Sequence, residues 1–379
     1  MKTVQITGKA VKKFEDGYPQ LAMTDLENPA DFQDGEWVQL ESHGHFVAIA
    51  YFAKERKGAG WIFTLHENER IDDRFFASLF RGAMARRRHL ADLEAYCWFN
   101  GAGDGLGGLT IDKYLNAYLF KFDNRALFLQ RDLIIEGFNE VMASDIALIV
   151  SFNGNQELVM GSEDELPKLV HENEVVFPIN LMKGQDLGLE FRDVREMVKP
   201  MAPQKSVLNV FDAETGLIPV AMVGDATNAV TVDPAARATK ITQEQLLANN
   251  ADQAPVEIRT MDVENYLDYA IKHHLTFDLV TVNPPNFIRG KKREFRLTKD
   301  LVSLMEQIFS VVAPGTKIIL SITSPSFSMK RLRKEVNEAV ANSGIQASVE
   351  NTFSAPDDFP VNRSQQHSEA IKGIILTIH

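Results

Sequence analysis

Between Phe277 and Arg296 the chain reads FDLVTVNPPNFIRGKKREFR. A β-branched apolar run ends in an amide, two prolines and an aromatic: Asn283, Pro284, Pro285 and Phe287. Successive prolines fix φ near −65° and supply no N–H, so the chain leaves its strand along a stiff path. Such a corner can hold the Asn283 amide and nearby carbonyls as acceptors for a flat base bearing an exocyclic amine, with the Phe287 ring as a stacking face. Five positive charges follow, on Arg289, Lys291, Lys292, Arg293 and Arg296. They suit the phosphates on either side of that base.

Other apolar runs also stop at polar residues. VLNVFDAETG supplies Asn209, Phe211, Asp212, Glu214, Thr215 and Gly216; AVTVD ends at Asp233, and RTMDV carries Asp262. In open α/β sheets, ligands bind beyond the carboxyl ends of the strands. A carboxylate at Asp233 is placed to accept hydrogen bonds from the two hydroxyls of a ribose. The one glycine in DAETGL cannot provide the Gly-x-Gly-x-x-Gly turn that a pyrophosphate needs. S-adenosylmethionine makes no such demand and is the expected cofactor.

These residues need a parallel sheet beneath them. From residue 185 the strand-type runs SVLNVF, AVTVD, VEIRTMD, FDLVTVN and TKIILSI alternate with helical stretches such as AARATKITQEQLLANN and TKDLVSLMEQIFSVVA. That rhythm predicts an α/β domain over 185–379, with helices on both faces of a mostly parallel sheet. Residues 1–70 read as short strands broken by turns, EWVQLES, HFVAIAYFA and GWIFTLH among them, and suggest a small barrel. Residues 71–184 read as a middle α+β domain. Its first helix is expected over Ile71–Leu90, with Phe75, Phe76, Leu79, Phe80 and Met84 at helical spacing and Asp72 or Asp73 as N-cap. The glycines of NGAGDGLGGLTIDKY lead into a strand, not a helix, so they read as turns and not as a phosphate cradle.

A chain of 379 residues with 45 % apolar and 24 % charged residues fits a multi-domain globular protein. Its net charge of −12 excludes coating nucleic acid by bulk attraction. Three basic islands, Arg81–His89, Arg289–Arg296 and Met329–Lys334, point instead to a local polyanionic contact. One cysteine, Cys97, excludes an intramolecular disulfide framework, and its aromatic neighbours in AYCWF mark it as a buried small hydrophobe. No signal peptide or membrane span is legible, so a cytoplasmic protein with no membrane partner is expected. His43, His45, His273, His274 and HENE lack metal spacing, and no metal site is expected.

The motifs ERIDDRFF, DGLGGLTIDKY, LGLEFRDVR, FDLVTVNPPNF, PGTKIIL and DDFPV…IKGIIL resemble, over nearly the whole chain, a bacterial family of large-subunit ribosomal RNA methyltransferases. That family joins an N-terminal PUA domain and a middle RNA-binding-like domain to a C-terminal Rossmann-like class I methyltransferase domain, and its best-known members make 5-methylcytosine in 23S rRNA. The resemblance implies a PUA-like barrel over 1–70 that docks on RNA. It implies Arg192 and Asp193 beside the cofactor and the loop after Asn209 as the methionine-side wall. Asp233 becomes the ribose acceptor, Asp262 with Val263 flanks the adenine, and Asn283–Phe287 form the target-base corner. A homodimer is admitted.

Three departures stand out. FDAETGL replaces the family's Phe-Ser-Tyr-Thr-Gly-Gly loop, and Asn283 stands where the family has Asp. After IILSI, where the family keeps a catalytic thiol, this chain has Thr323 and Ser324. Cytosine C5 is activated by a thiolate adding at C6, and that route lacks its nucleophile here. An exocyclic amine or ring nitrogen needs none. The competing expectation is a catalytically degenerate RNA-binding or ribosome-assembly protein; a small-molecule methyltransferase leaves the barrel and basic islands unexplained.

Overall fold

The computed structural model describes residues 1–28, 32–54, 58–142, 145–211, 215–289, 294–324, 327–365 and 370–379. Lys291, Lys292 and Arg293, and Asp212 and Glu214 of the first loop, lie outside them. The chain forms two compact units. One comprises Met1–Lys168, Asn180–Gln185 and Asp357–Ser368; the other comprises Leu169–Ile179, Asp186–Pro356 and Glu369–His379. Relative to the division expected at 184/185, two segments change sides: the hairpin Leu169–Glu172/Val175–Pro178 packs with the C-terminal unit, and Asp357–Ser368 returns to the N-terminal one.

In the N-terminal unit, strands Lys2–Gln5, Gln20–Leu21, Trp37–Ser42, His45–Phe52 and Gly60–Thr64 form a five-stranded sheet. Gly8–Glu15 is a helix, where the sequence suggested only strands and turns. Thr7 caps it through the Ala10 N–H, and Ala10 and Phe14, four apart, bury its inner face. A second five-stranded sheet holds Ala95–Asn100, Leu109–Tyr114, Ala117–Phe122, Ala147–Phe152 and Asn155–Met160. Helix Asp73–Arg86 is N-capped by Asp72, which accepts from Phe75 N. Its buried face runs through Phe76, Phe80 and Ala83, which leaves Met84 on the exposed rim. Ile49, Tyr51 and Phe63 of the first sheet share a core with Phe76, Phe99, Phe120 and Phe138, so both sheets belong to one packed body.

The C-terminal unit is built on a seven-stranded sheet. In chain order its strands are β1 (Ser206–Val210), β2 (Asn228–Asp233), β3 (Val256–Thr260), β4 (Phe277–Val282), β5 (Val312–Ile322), β6 (Ala347–Ser354) and β7 (Lys372–Ile378). Their spatial order is β3-β2-β1-β4-β5-β7-β6; β1 to β5 pair in parallel and β7 runs antiparallel to both its neighbours. Strand order reverses beside β1 and β4, which opens a crevice at their carboxyl ends. The helices are α1 (Arg192–Met201), α2 (Leu217–Val223), α3 (Ala236–Ala248), α4 (Val263–Lys272), α5 (Leu297–Phe309) and α6 (Met329–Ser343). Val210, Val232, Val280, Leu301, Met305, Ile318 and Leu376 join one buried cluster.

Candidate active site

The four polar strand ends named from the sequence lie side by side because β2, β1 and β4 pair in register: Asn209 sits opposite both Thr231 and Thr281. Beyond β1, Phe211 takes a left-handed backbone, φ 62°. A bulky residue holds that conformation only when its surroundings impose it. Here its N–H donates to Val232 O at 2.9 Å and its ring packs on Phe295 at 5.3 Å. Phe211, Pro234, Asp262, Val263, Glu264, Ile288 and Phe295 line a narrow cleft that opens to solvent and encloses only about 20 Å³. Apolar walls with two carboxylates at the edge, Asp262 and Glu264, suit contact with a nucleoside base.

Asp233 ends β2 and is 9 % exposed. Its Oδ1 accepts from Ala235 N at 2.7 Å, and among the described residues no partner reaches Oδ2. Burial raises its pKa above the usual aspartate value, and the Ala235 bond offsets this in part. A half-satisfied carboxylate at a strand end is suited to accept from paired hydroxyls. Asp262 is the N-cap position of α4 and receives Asn265 Nδ2 at 3.2 Å.

Other named residues are placed differently. Asn209 is buried; its Oδ1 accepts from Thr281 Oγ1 at 2.7 Å and its Nδ2 donates to Thr231 Oγ1 at 3.5 Å. This cross-strand ladder fixes the strand ends, and Asn209 is not part of the cleft lining. Arg192 is buried at the start of α1, 3.9 Å from Asp193, which is half exposed; neither lines the cleft. Gly216 has φ 69°, and a Cβ there would stand 2.6 Å from the Phe177 ring. Both facts require glycine.

The residue that sequence reasoning missed is Arg195. Fully buried, it binds Glu172 through Nε at 2.7 Å and Nη2 at 2.8 Å, and its Nη1 reaches Gly188 O at 2.8 Å and Thr215 O at 2.9 Å. Its guanidinium also lies over Phe177. One side chain thereby joins the Leu169–Pro178 hairpin, the turn before α1 and the loop before α2. Its motif, LEFRDVR, was visible, but its partners lie in three separate stretches of chain.

At the corner, Asn283 N donates to Val210 O at 3.2 Å, and Asn283 Oδ1 accepts from Ser321 Oγ at 3.5 Å. Pro284 is buried and Phe287 is 49 % exposed. The chain then forms a short antiparallel hairpin, Phe287–Arg289 with Glu294–Arg296. Ile288 and Phe295 face the cleft, while Phe287, Arg289 and Arg296 remain exposed. Arg296 stacks over Phe287 at 5.1 Å and pairs with Glu294 at 2.9 Å.

Two further sequence readings are settled by contacts. Cys97 is fully buried in the N-terminal unit, its Sγ 3.5 Å from Phe99 O, and burial pushes the thiol well above its usual pKa. After β5, Ser324 is buried and its carbonyl accepts from the buried Lys372 ammonium at 3.3 Å. The Arg81–His89 island is partly compensated from within. Arg81 pairs with Glu140, Arg86 and Arg87 with Asp104, and His89 with Asp357. Glycines of NGAGDGLGGLTIDKY serve close packing: Gly103 abuts Pro360 O, Gly107 the Trp61 ring and Gly108 the Asn124 amide. Among the described residues no group of His, Cys, Asp or Glu is arranged to hold a metal ion, and no helix is long and apolar enough to cross a membrane.

A parallel sheet with its seventh strand antiparallel, a narrow apolar cleft at the β1–β3 ends and a proline corner after β4 define a class I methyltransferase fold. Comparison with known proteins agrees. Residues 4–65 match a PUA-like domain and residues 154–366 an S-adenosylmethionine-dependent methyltransferase. The Bacillus subtilis protein YwbD, provisionally named a ribosomal RNA large subunit methyltransferase, is 30 % identical over 99 % of both chains. Ribosomal RNA large subunit methyltransferase I of Aliivibrio fischeri is 25 % identical over 91 % of both. A Streptococcus mutans structure, provisionally described as a SAM-dependent methyltransferase, superposes over 100 % of both chains with a TM-score of 0.90 at 27 % identity. Another solved structure, 28 % identical with the same TM-score, is a provisionally assigned methyltransferase complexed with S-adenosylhomocysteine. The chain belongs to the S-adenosylmethionine-dependent methyltransferase family, carries an N-terminal PUA-like domain, and uses S-adenosylmethionine as its cofactor.

Proposed function

We propose that this enzyme methylates a base of RNA, with large-subunit (23S) ribosomal RNA as substrate, at an exocyclic amine or ring nitrogen. An rRNA substrate would place its work in the cytoplasm. The observation that carries the reading is the sharing of one set of strand ends by the narrow apolar cleft and the Asn283-Pro284-Pro285 corner, with a cationic hairpin continuing from it. The names of the relatives support the choice of RNA.

In this reading Asp233 accepts from the cofactor's ribose, and Asp262 and Val263 border the adenine. Phe211, Ile288 and Phe295 enclose the ring. Arg192, Asp193, Asn209 and Gly216 shape the methionine side, acting through the backbone they hold. Bound S-adenosylmethionine supplies an electrophilic methyl on a sulfonium. The Asn283 amide oxygen, together with carbonyls of the corner, accepts a hydrogen from the target amine and turns its lone pair toward that methyl. Transfer of that methyl would form the nitrogen–carbon bond as the sulfur–carbon bond breaks, and the surplus proton would leave the corner to water. Phe287 stacks on the base, and Arg289 and Arg296, with Lys291, Lys292 and Arg293, meet the adjacent phosphates. Nitrogen is preferred to cytosine C5 because Thr323 and Ser324 stand after β5 and the one thiol is buried in the N-terminal unit.

The test is methyl transfer from labelled S-adenosylmethionine to ribosomal RNA from cells lacking this protein, followed by nucleoside mass spectrometry. A labelled N-methyl nucleoside supports the reading. Label in 5-methylcytosine overturns the choice of atom, and no RNA label from a protein that binds the cofactor overturns the choice of substrate.

A further inference from the structure

The N-terminal unit holds a cavity that the methyl-transfer site does not use. It lies where the two five-stranded sheets meet. There Tyr51 donates its hydroxyl to Gly107 O at 2.6 Å, and Asn124 Nδ2 donates to the Tyr51 hydroxyl at 3.4 Å. The cavity measures about 470 Å³ and is lined by Asp34, Lys54 and Trp61 from the first sheet and its loops, and by Asp123, Arg125 and Phe152 from the second. This volume falls within the range of small-ligand sites, about 300–1,000 Å³, and accommodates one nucleotide.

Its walls are preorganised. Trp61 rests on Gly107 so closely that a Cβ there would be 2.0 Å from the ring. Phe152 stacks on Phe128, with centroids 4.4 Å apart and planes 13° from parallel, and Phe128 also carries the Arg131 guanidinium at 4.7 Å. Each aromatic lining residue is thus braced from within the protein while bordering the cavity. Lys54 and Arg125 are exposed cations. Asp34, whose Oδ1 accepts from Lys54 N at 2.7 Å, and Asp123 add carboxylates.

This mixture selects a ligand class. A simple phosphate would meet carboxylates as well as cations, and a purely apolar ligand would strand four charges. A nucleotide satisfies all parts: its base offers a π-face to Trp61 or Phe152, its amino or imino edge donates to a carboxylate, and its phosphate meets Lys54 or Arg125. We propose that this cavity receives a single unstacked nucleotide of the RNA substrate, a second anchoring point carried by the N-terminal unit. The proposal rests on the RNA reading above and adds a site to it.

The test measures binding of a fluorescein-labelled, mixed-sequence single-stranded oligoribonucleotide by anisotropy, using the full chain across a salt series. The variants are Lys54→Glu with Arg125→Glu, which are surface changes, and Phe152→Leu, which keeps an apolar residue under the stack. The charge variant is expected to bind about tenfold or more weakly and to show a shallower salt dependence by about one to two phosphate contacts. Phe152→Leu is expected to weaken binding about five- to tenfold at every salt concentration, the effect of a lost stack. Both should retain wild-type affinity for S-adenosylmethionine and a cooperative melt. Wild-type RNA affinity in both variants overturns the cavity's assignment and leaves the RNA reading intact. Failure of the wild-type protein itself to bind any RNA overturns that reading, and the cavity's occupant with it.

Discussion

Replacing Asp233 by Asn separates binding from folding at one atom. In the wild type, Oδ1 is occupied by the Ala235 N–H and Oδ2 has no partner among the described residues. Donation from a ribose to the ionised carboxylate is a charged hydrogen bond, worth about 1.5–3 kcal/mol. Asn keeps the shape, removes the charge and leaves one acceptor oxygen, which the Ala235 N–H already claims. A loss of about 2–3 kcal/mol corresponds to roughly 30- to 150-fold in Kd. Stability should move the other way. The folded-state pKa of Asp233 is raised by burial, so its stabilising contribution exists below the unfolded-state pKa and is lost as pH rises through the folded-state pKa. At neutral pH the buried charge opposes folding, and Asn should leave the ligand-free melting temperature equal or higher. Cofactor affinity in the wild type should fall as pH drops through that raised pKa, since the hydroxyls need the ionised form; the Asn variant should lack this dependence. Calorimetric titration with S-adenosylmethionine and S-adenosylhomocysteine, paired with thermal unfolding of the free protein, reads both signs. Unchanged affinity in Asp233→Asn would refute the ribose assignment, and affinity lost in step with stability would reduce Asp233 to a structural residue.

Gly216→Ala should lower the melting temperature and weaken cofactor binding about tenfold, because a left-handed φ and the Phe177 ring both oppose a Cβ. Adding Phe177→Leu should recover part of the loss, and a strictly additive double mutant would sink the steric argument. Arg195→Lys keeps the charge but cannot hold Glu172 through two nitrogens while reaching Gly188 O and Thr215 O. Denaturant unfolding should show a loss of about 3 kcal/mol or more, and a change below about 1 kcal/mol would show that the network is dispensable. Cys97→Ala should leave the methyl-transfer rate within about twofold, since the thiol is buried and held protonated; a folded but inactive variant would return Cys97 to the chemistry.

The central sheet was legible because β1, β2, β4 and the end of β5 are apolar, β-branched runs bounded by polar residues, the pattern of strands covered on both faces, whereas β3, VEIRT, is an edge strand with no buried residue. Its other edge was not. β6, ASVENTFS, is largely exposed along its length and carries no buried-strand signal. Helix Gly8–Glu15 escaped because a short amphipathic helix offers only one apolar pair, Ala10 and Phe14, against a background of strands. Candidate site residues were readable where the chain itself ends a strand, as at Asp233, Asp262 and Asn283. They were not readable where geometry depends on distant partners. Arg195 draws on Glu172, Gly188 and Thr215, and nothing in the local sequence of any of them names the others. The hairpin that continues the proline corner was also unforeseen, because its strands are too short to set a period.

The same dependence on distant partners governs how basic charge should be read. Arg86, Arg87 and His89 look like one cationic patch in sequence, yet Arg86 and Arg87 share Asp104 and His89 contacts Asp357, and Arg87 and Asp104 pair at 2 % and 0 % side-chain exposure. A buried pair of this kind holds the unit's architecture: losing one partner strands the other at a cost of about 3–5 kcal/mol. In the catalytic unit the balance differs. Arg289 is exposed and has no ion pair among the described residues, Lys330, Arg333 and Lys334 are exposed on α6, and Arg296 and Arg331 are partly compensated by Glu294 and Glu335 respectively. A polyanion would release fewer counterions than the raw count of basic residues implies, because each pre-paired cation contributes less to the salt slope. The net charge of −12 makes the same few cations, and not the protein as a whole, the place where a polyanion would be met.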